Sequence, residues 1–144
     1  QWGLYEIQLK GPTNGNPFVD VQVSAVFENG KQRVEVPGFY DGDGNYLVRF
    51  SPDTQGKWHY QTKANKSELT RKTGEFTATP PSQGNHGPVR VANTYHFAYA
   101  DGTPYKQIGT TIYNWMDTPV AVQEETLKTL AASPFNKARM LITQ

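Results

Sequence analysis

Val19-Asp20-Val21-Gln22-Val23-Ser24-Ala25-Val26-Phe27-Glu28-Asn29-Gly30 is the stretch whose reading decides the fold. Val19, Val21, Val23, Ala25 and Phe27 fall on one side, and Asp20, Gln22, Ser24 and Glu28 on the other. A period of two is the mark of a strand with one buried face. Asn29-Gly30 then signals a tight hairpin, because a type I′ turn needs positive φ at both central positions. Upstream, Tyr5, Ile7 and Leu9 alternate with Glu6, Gln8 and Lys10 until Gly11-Pro12 and the turn Asn14-Gly15-Asn16-Pro17. Downstream, Val34 and Val36 continue the pattern to Pro37-Gly38. After the turn Asp41-Gly42-Asp43-Gly44 come Tyr46, Val48 and Phe50. Trp58 and Tyr60 share one face, with Lys57, His59 and Gln61 on the other, and Phe76 and Ala78 follow Thr73-Gly74. Val89 and Val91, then Tyr95, Phe97 and Tyr99, close this part. About seven short strands separated by turns argue for a mainly β fold, an antiparallel sandwich of immunoglobulin or fibronectin type.

Composition agrees. The 144 residues include 13 Gly and 10 Pro, and aromatics alone make 12% of the chain. Cysteine is absent, so the sandwich core must rest on aromatic and β-branched packing, and a thiolate zinc site is excluded. Fourteen basic residues stand against 13 acidic ones, for a net charge of +1, without the basic footprint of a nucleic-acid binder. No apolar run approaches the roughly 20 residues of a membrane helix. The chain enters strand pattern almost at Gln1, as a mature N-terminus does after leader cleavage, and a secreted, periplasmic or cell-surface location is expected.

Near residue 101 the grammar changes. Asp101-Gly102-Thr103-Pro104 is a turn, and Tyr105 to Tyr113 reads as a strand. Thr118 is placed to cap a helix with Pro119 at its first position, where a missing N–H costs nothing. Val120, Leu127, Leu130 and Ala131 form one helical stripe, and Glu124 precedes Lys128 by four residues. Ala138 to Thr143 is a second strand. Parallel strands occur almost only in sheets covered by helices on both faces. One βαβ unit lacks that cover, so the chain reads as a sandwich over 1–92 followed by a truncated α/β body over 93–144. The bare unit is expected to dock on the sandwich through Leu127, Leu130 and Met140, or to pair with a second copy.

Chemistry-bearing residues are few. His59, His86 and His96 lack metal-ligand spacing, and neither a nucleophile elbow nor a phosphate-binding glycine loop is present, so no metal or cofactor is expected. Asp41-Gly42-Asp43-Gly44 lacks the twelve-residue spacing and closing Glu of a calcium loop. His86 is a candidate for fixing the loop between the two parts. Among the aromatics Trp2, Phe39, Tyr40, Trp58 and Tyr60, the pair Trp58 and Tyr60 has the phase of the core. Tyr40 borders a turn and is the better surface candidate for a sugar ring.

Several runs carry a resemblance. Trp2-Gly3-Leu4-Tyr5-Glu6, Gly11-Pro12 with Asn16-Pro17-Phe18, Gly38-Phe39-Tyr40-Asp41-Gly42 and Val48-Arg49-Phe50 resemble a domain of unknown function that precedes the barrel in apiosidase-like glycoside hydrolases. Gly84-Asn85-His86-Gly87-Pro88-Val89 looks like the signature at its end. His96 to Tyr105 and Gly109-Thr110-Thr111-Ile112-Tyr113-Asn114-Trp115 resemble the opening strand of that family's (β/α)8 barrel. Thr126 to Leu130 and Ser133 to Met140 resemble its first helix and second strand. Leu141-Ile142-Thr143-Gln144 departs from the family, which continues toward an aromatic-Pro.

The resemblance implies a non-catalytic accessory domain that braces the catalytic barrel of its parent chain and shapes one end of its cleft, with plant polysaccharide as the substrate. Glycosidases place two carboxyl groups across the scissile bond. A barrel supplies these from strand ends, which the resemblance puts on later strands. Asp117 is the only acid near such an end here, and a helix cap or loop role suits it better, so no catalytic residue is assigned. Tyr113 and Trp115 follow the first barrel strand on the active-site face, and Arg139 lies in the second. These three, with Tyr40, are the candidate substrate contacts. Core packing is the alternative for Tyr113, and an inter-strand salt bridge for Arg139. Two other functions are open: an independent carbohydrate-binding module, marked by an exposed aromatic row, and a ligand-free fibronectin-like structural domain.

Overall fold

Alternating apolar residues force strands to pair so that one face is covered, and the computed structural model, which describes residues 1–30 and 32–142, realises this in its first part. The chain divides into two compact units, Gln1–Pro88 and Val89 onward. The first contains, among the described residues, seven strands: β1 (Tyr5–Lys10), β2 (Val23–Asn29), β3 (Gln32–Pro37), β4 (Phe39–Tyr40), β5 (Asn45–Phe50), β6 (Gly56–Ala64) and β7 (Thr73–Ala78). One sheet has the order β1-β5-β4 and the other β3-β2-β6-β7, and every pairing is antiparallel.

The inner faces of the two sheets share one core. Ile7, Tyr46, Val48 and Phe50 come from one sheet, and Val23, Ala25, Phe27, Trp58 and Ala78 from the other. Phe27 and Phe50 stack at 4.2 Å between centroids, Phe50 meets Trp58 edge-on at 5.0 Å, and Tyr5 stacks on Phe76 at 3.8 Å. Each fully buried side chain of this size is worth about 1.5–3 kcal/mol, so aromatic packing does the work that a disulfide does elsewhere. The faces expected for Ile7, Leu9, Trp58, Tyr60, Phe76 and Ala78 all turn toward this core.

Two readings of this unit are corrected, and one core residue lies outside them. The central strand begins at Val23, not Val19. Pro17–Asp20 forms a single helical turn, α1, with Pro17 at its first position, and the Asp20 carboxylate accepts the Asn16 N–H at 2.8 Å. Val19 consequently lies 72% exposed. Across the following hairpin Asn29 is already paired with Gln32, so the turn centre is shifted by one residue and begins at Gly30, whose φ is +57°. Finally, the core is closed by a residue the alternation does not reach. Leu69, in the loop between β6 and β7, is fully buried. The Thr62 hydroxyl donates to its carbonyl at 2.6 Å and accepts from the Lys72 N–H at 2.9 Å.

In the second unit β8 (Val89–Ala92) and β9 (His96–Tyr99) pair with each other in a separate antiparallel sheet. The division therefore falls after Pro88 rather than after residue 92. β10 (Gly109–Thr111) and β11 (Lys137–Arg139) pair in parallel and are joined through α2 (Val120–Ala131). Both strands are shorter than their apolar runs. Met140, Leu141 and Ile142 lie beyond β11, and Thr143 is outside the described residues. Thr118 does not cap α2. Pro119 is the cap residue, and the Thr118 hydroxyl donates back to the Trp115 carbonyl at 2.7 Å. Along the apolar stripe of α2 Val120 is 67% and Leu127 51% exposed, while Leu130 is half-buried; Met140 beyond β11 is 37% exposed.

Candidate functional site

Parallel pairing of β10 and β11 brings the ends of both strands to one edge. Ile112 N–H donates to the Arg139 carbonyl at 2.9 Å, and Leu141 N–H donates to the Tyr113 carbonyl at 3.0 Å. Tyr113, Arg139, Thr111, Met140 and Leu141 consequently line one small cavity of about 60 Å³. Tyr113 is 56% exposed, and Arg139 is exposed as well, so neither is a core residue of this unit. A phenol beside a guanidinium offers a stacking face and a fork of donors, which is chemistry suited to a polyol.

Trp115 is placed differently. It opens a 3-10 turn, Trp115–Asp117, and its indole N–H donates to the Gln123 carbonyl on α2 at 3.2 Å. Gln123 answers with its side chain, donating to the carbonyls of Thr118 at 2.8 Å and Met116 at 3.2 Å. The loop after β10 is thus clamped to the first turn of α2, and Trp115, half-buried, has its polar edge committed to that clamp. Asp117 lies in the same turn, and its N–H is bonded to the Asn114 carbonyl at 3.0 Å.

In the first unit the two outer sheet faces differ. On β3-β2-β6-β7 the charges neutralise one another: Arg33 with Glu28 at 2.9 Å, Lys63 with Glu35 at 2.9 Å, Lys57 with Glu75 at 2.8 Å. Hydrogen bonds from Lys63 and Ser24 hold the Glu35 carboxyl below its ordinary range, and the bond from Lys57 does the same for Glu75. That face is a solvated ladder of ion pairs. On β1-β5-β4, Phe39 is 40% exposed with the Arg49 guanidinium 5.0 Å from its ring, and Arg49 also pairs with Glu6 at 2.7 Å.

Tyr40 belongs to this unit and is half-buried. Its ring lies 5.0 Å from buried Tyr46, its hydroxyl accepts the Gly44 N–H at 3.2 Å, and the exposed ring of Phe18 stands on it edge to face at 5.0 Å. Reading by alternation passes over Phe18, because it treats residues 14–17 as a turn. The sequence signal for it is Asn16-Pro17, a helix start with proline at the first position. Asn85, beside His86, ties the end of the unit to its beginning, donating to the Trp2 carbonyl at 3.2 Å. Among the described residues no cluster of three metal-ligating side chains occurs, and no helix is long and apolar enough to cross a membrane.

Residues 1–65 match the family model of a domain of unknown function, DUF5060. Over 96% of its length the chain also matches a crystal structure of a candidate glycoside hydrolase from Bacteroides vulgatus, with 42% identity and a TM-score of 0.91. The chain spans only 27% of that protein. No curated protein matches.

Proposed function

We propose that the chain is the accessory sandwich and barrel opening of an apiosidase-like, polysaccharide-degrading glycoside hydrolase. The observation that carries this reading is the 42% identity, over nearly the whole chain, to about a quarter of a candidate hydrolase. In this reading the first unit is an immunoglobulin-like sandwich that braces the barrel and shapes one end of its cleft. The second unit, the β10-α2-β11 crossover, is the first βαβ of the (β/α)8 barrel. Its open apolar surface supports this. A groove of about 500 Å³ bordered by Ile112, Val122, Leu130 and Phe135 is the kind of face that neighbouring helices and strands of a closed barrel cover.

Tyr113 and Arg139 then stand where strand ends face the substrate of such a barrel, as contacts to sugar hydroxyls. The carboxyl pair that cleaves the bond comes from strands beyond this chain. Trp115 serves the site indirectly by holding the loop that carries Tyr113. A polysaccharide substrate is too large to enter a cell, so the protein works outside the cytoplasm. At high concentration the bare faces of the crossover would pair two copies of the isolated chain.

Antibodies raised against the chain test this. In the organism that encodes it they should detect a protein of about 60 kDa, the size at which the 16.1 kDa chain would make up the same 27% that it spans of the Bacteroides vulgatus protein. The immunocaptured protein should release reducing sugar from plant cell-wall polysaccharide, and the 144-residue chain alone should release none. A sole band at 16 kDa, or a heavy protein inert on every polysaccharide, would refute the reading.

A further inference from the structure

Phe18 is an aromatic ring kept at the surface by a support built for it. It is 73% exposed, and Val19 beside it 72%. Leaving such a ring in water forgoes the ~1.5–3 kcal/mol that burial would contribute. Yet its position is anchored twice. From below, the rings step down from Phe18 to Tyr40 at 5.0 Å and 86°, then to Tyr46 at 5.0 Å and 52°, where Tyr46 is fully buried and donates its hydroxyl to the Pro12 carbonyl at 2.7 Å. Along the backbone, Asp20 accepts the Asn16 N–H, Asn65 donates its amide to the Asp20 carbonyl at 2.9 Å, and the Gln22 N–H donates to Asn65 Oδ1 at 3.0 Å. An exposed ring held this firmly has lost its conformational freedom before any ligand arrives, which removes a cost of binding.

The ring sits at the end of the unit where the loops 11–22, 41–44 and 65–72 gather. The first and last residues of the unit meet at the opposite end, where Trp2 N–H donates to the Pro52 carbonyl and Asn85 to that of Trp2. With about 200 Å² to an aromatic side chain, Phe18 and Val19 together expose on the order of 250 Å². That is far below the ~800 Å² each partner contributes to a stable protein interface. It does suit one sugar ring. An all-equatorial pyranose presents a face of C–H groups to the electron-rich face of an aromatic ring, with its hydroxyls directed outward to polar neighbours. Asp20, Asp41 and Asp43 stand in these loops together with Lys66, Arg71 and Lys72, and the Lys10 ammonium donates to the Asp43 carbonyl at 3.4 Å, so the charges around the ring are mixed and the stacking face is what selects the ligand.

We propose that Phe18 is a stacking platform for a pyranose of a polysaccharide, and that Tyr40 is its support and not its contact. The choice of a sugar as ligand rests on the hydrolase reading above; the platform itself rests on the three-ring stack. It makes the first unit a glycan anchor in its own right.

The 144-residue chain is titrated calorimetrically with cellohexaose, xylohexaose and mannohexaose. At least one neutral hexaose should bind saturably. Phe18→Ala should weaken it about tenfold or more, with the melting temperature lower by only a few degrees, because the ring is exposed and loses just its edge contact with Tyr40. Tyr40→Ala should weaken it as much, and Tyr40→Phe, which keeps the supporting ring, less than about threefold. Absence of binding by all three hexaoses, or indifference to Phe18→Ala, overturns the proposal. A dimer in sedimentation that Phe18→Ala dissolves, without glycan binding, assigns the patch to a second copy instead. Failure here with a 60 kDa active parent leaves the accessory reading standing. Binding here with a sole 16 kDa band sinks only the hydrolase.

Discussion

Replacing Thr62 by valine keeps the side chain's shape and removes a hydroxyl that serves two backbone groups at once. Thr62 is 1% exposed on β6, donating to the Leu69 carbonyl at 2.6 Å and accepting from the Lys72 N–H at 2.9 Å. Two backbone bonds, Thr62 N–H to the Lys72 carbonyl and Arg71 N–H to the Thr62 carbonyl, both 2.8 Å, complete the pin. Valine packs as threonine does, so the loss is polar. Each neutral hydrogen bond contributes about 1 kcal/mol net, and a buried group left unpaired costs ~1–3 kcal/mol. The Leu69 carbonyl bears the larger penalty, since its residue is fully buried, while exposed Lys72 can turn its N–H to water. The total is about 2–3 kcal/mol, or a melting temperature lower by roughly 10–20 °C for a unit of this size. Near-UV circular dichroism of the intact chain reads it through the buried aromatic core. Thr62→Ser restores the hydroxyl and removes one methyl, for a loss of about 1 kcal/mol. A Thr62→Val shift below about 3 °C, or a Thr62→Ser loss as large as that of Thr62→Val, would refute the hydroxyl pin as the device that closes the core.

Gly38→Ala should lower the urea midpoint by the equivalent of about 1–3 kcal/mol, because the new Cβ would stand 2.7 Å from the Leu47 carbonyl oxygen and 2.9 Å from Val23 and Val48. Thermal stability should fall with acid. Glu35 and Glu75 have folded values below the ordinary 4.5, so their stabilisation is present above 4.5 and is lost as pH drops through the depressed values; 1 M salt should shrink the effect. The alkaline limb has the opposite sign. Burial raises the Tyr46 hydroxyl above its ordinary 10.0, so its contribution is complete below pH 10 and is lost as pH rises through the folded value, a loss that Tyr46→Phe should blunt in a pH series of melts. Gln123→Ala should speed hydrogen exchange at the Trp115 indole N–H by about tenfold, measured by NMR; unchanged exchange would mean that the Gln123 side chain does not clamp the loop.

The strands of the first unit were legible because burial there is written with the period of the backbone. Ile7 and Leu9, Ala25 and Phe27, Trp58 and Tyr60 face the core as their alternation requires. The aromatic substitute for a disulfide followed from composition. The crossover of the second unit was legible in outline, from a helical stripe between two apolar runs. Its strand ends were not, since apolarity extends to Ile142 while the strand ends at Arg139, with one further bond from the Leu141 N–H to the Tyr113 carbonyl. The candidate contacts lie in different settings. Tyr113 and Arg139 meet at one cavity, which a strand register predicts once the two strands are known to be parallel. Trp115 has its indole N–H turned to α2, and Tyr40 lies beneath another ring.

The sequence by itself determined which residues pair off into an inside and an outside, because side-chain alternation is a property of each strand alone. It also determined that the grammar shifts from strands to a crossover after about residue 101. Only the tertiary structure decided how the open end of the first unit is sealed and what stands upon it. Leu69 is buried because Thr62, seven residues earlier on another element, holds its carbonyl. Phe18 is exposed yet fixed because Tyr40 and Tyr46, from strands that the chain reaches more than twenty residues later, rise beneath it. Such contacts join segments with no shared period, and they form only when the sheets have brought distant loops to one end.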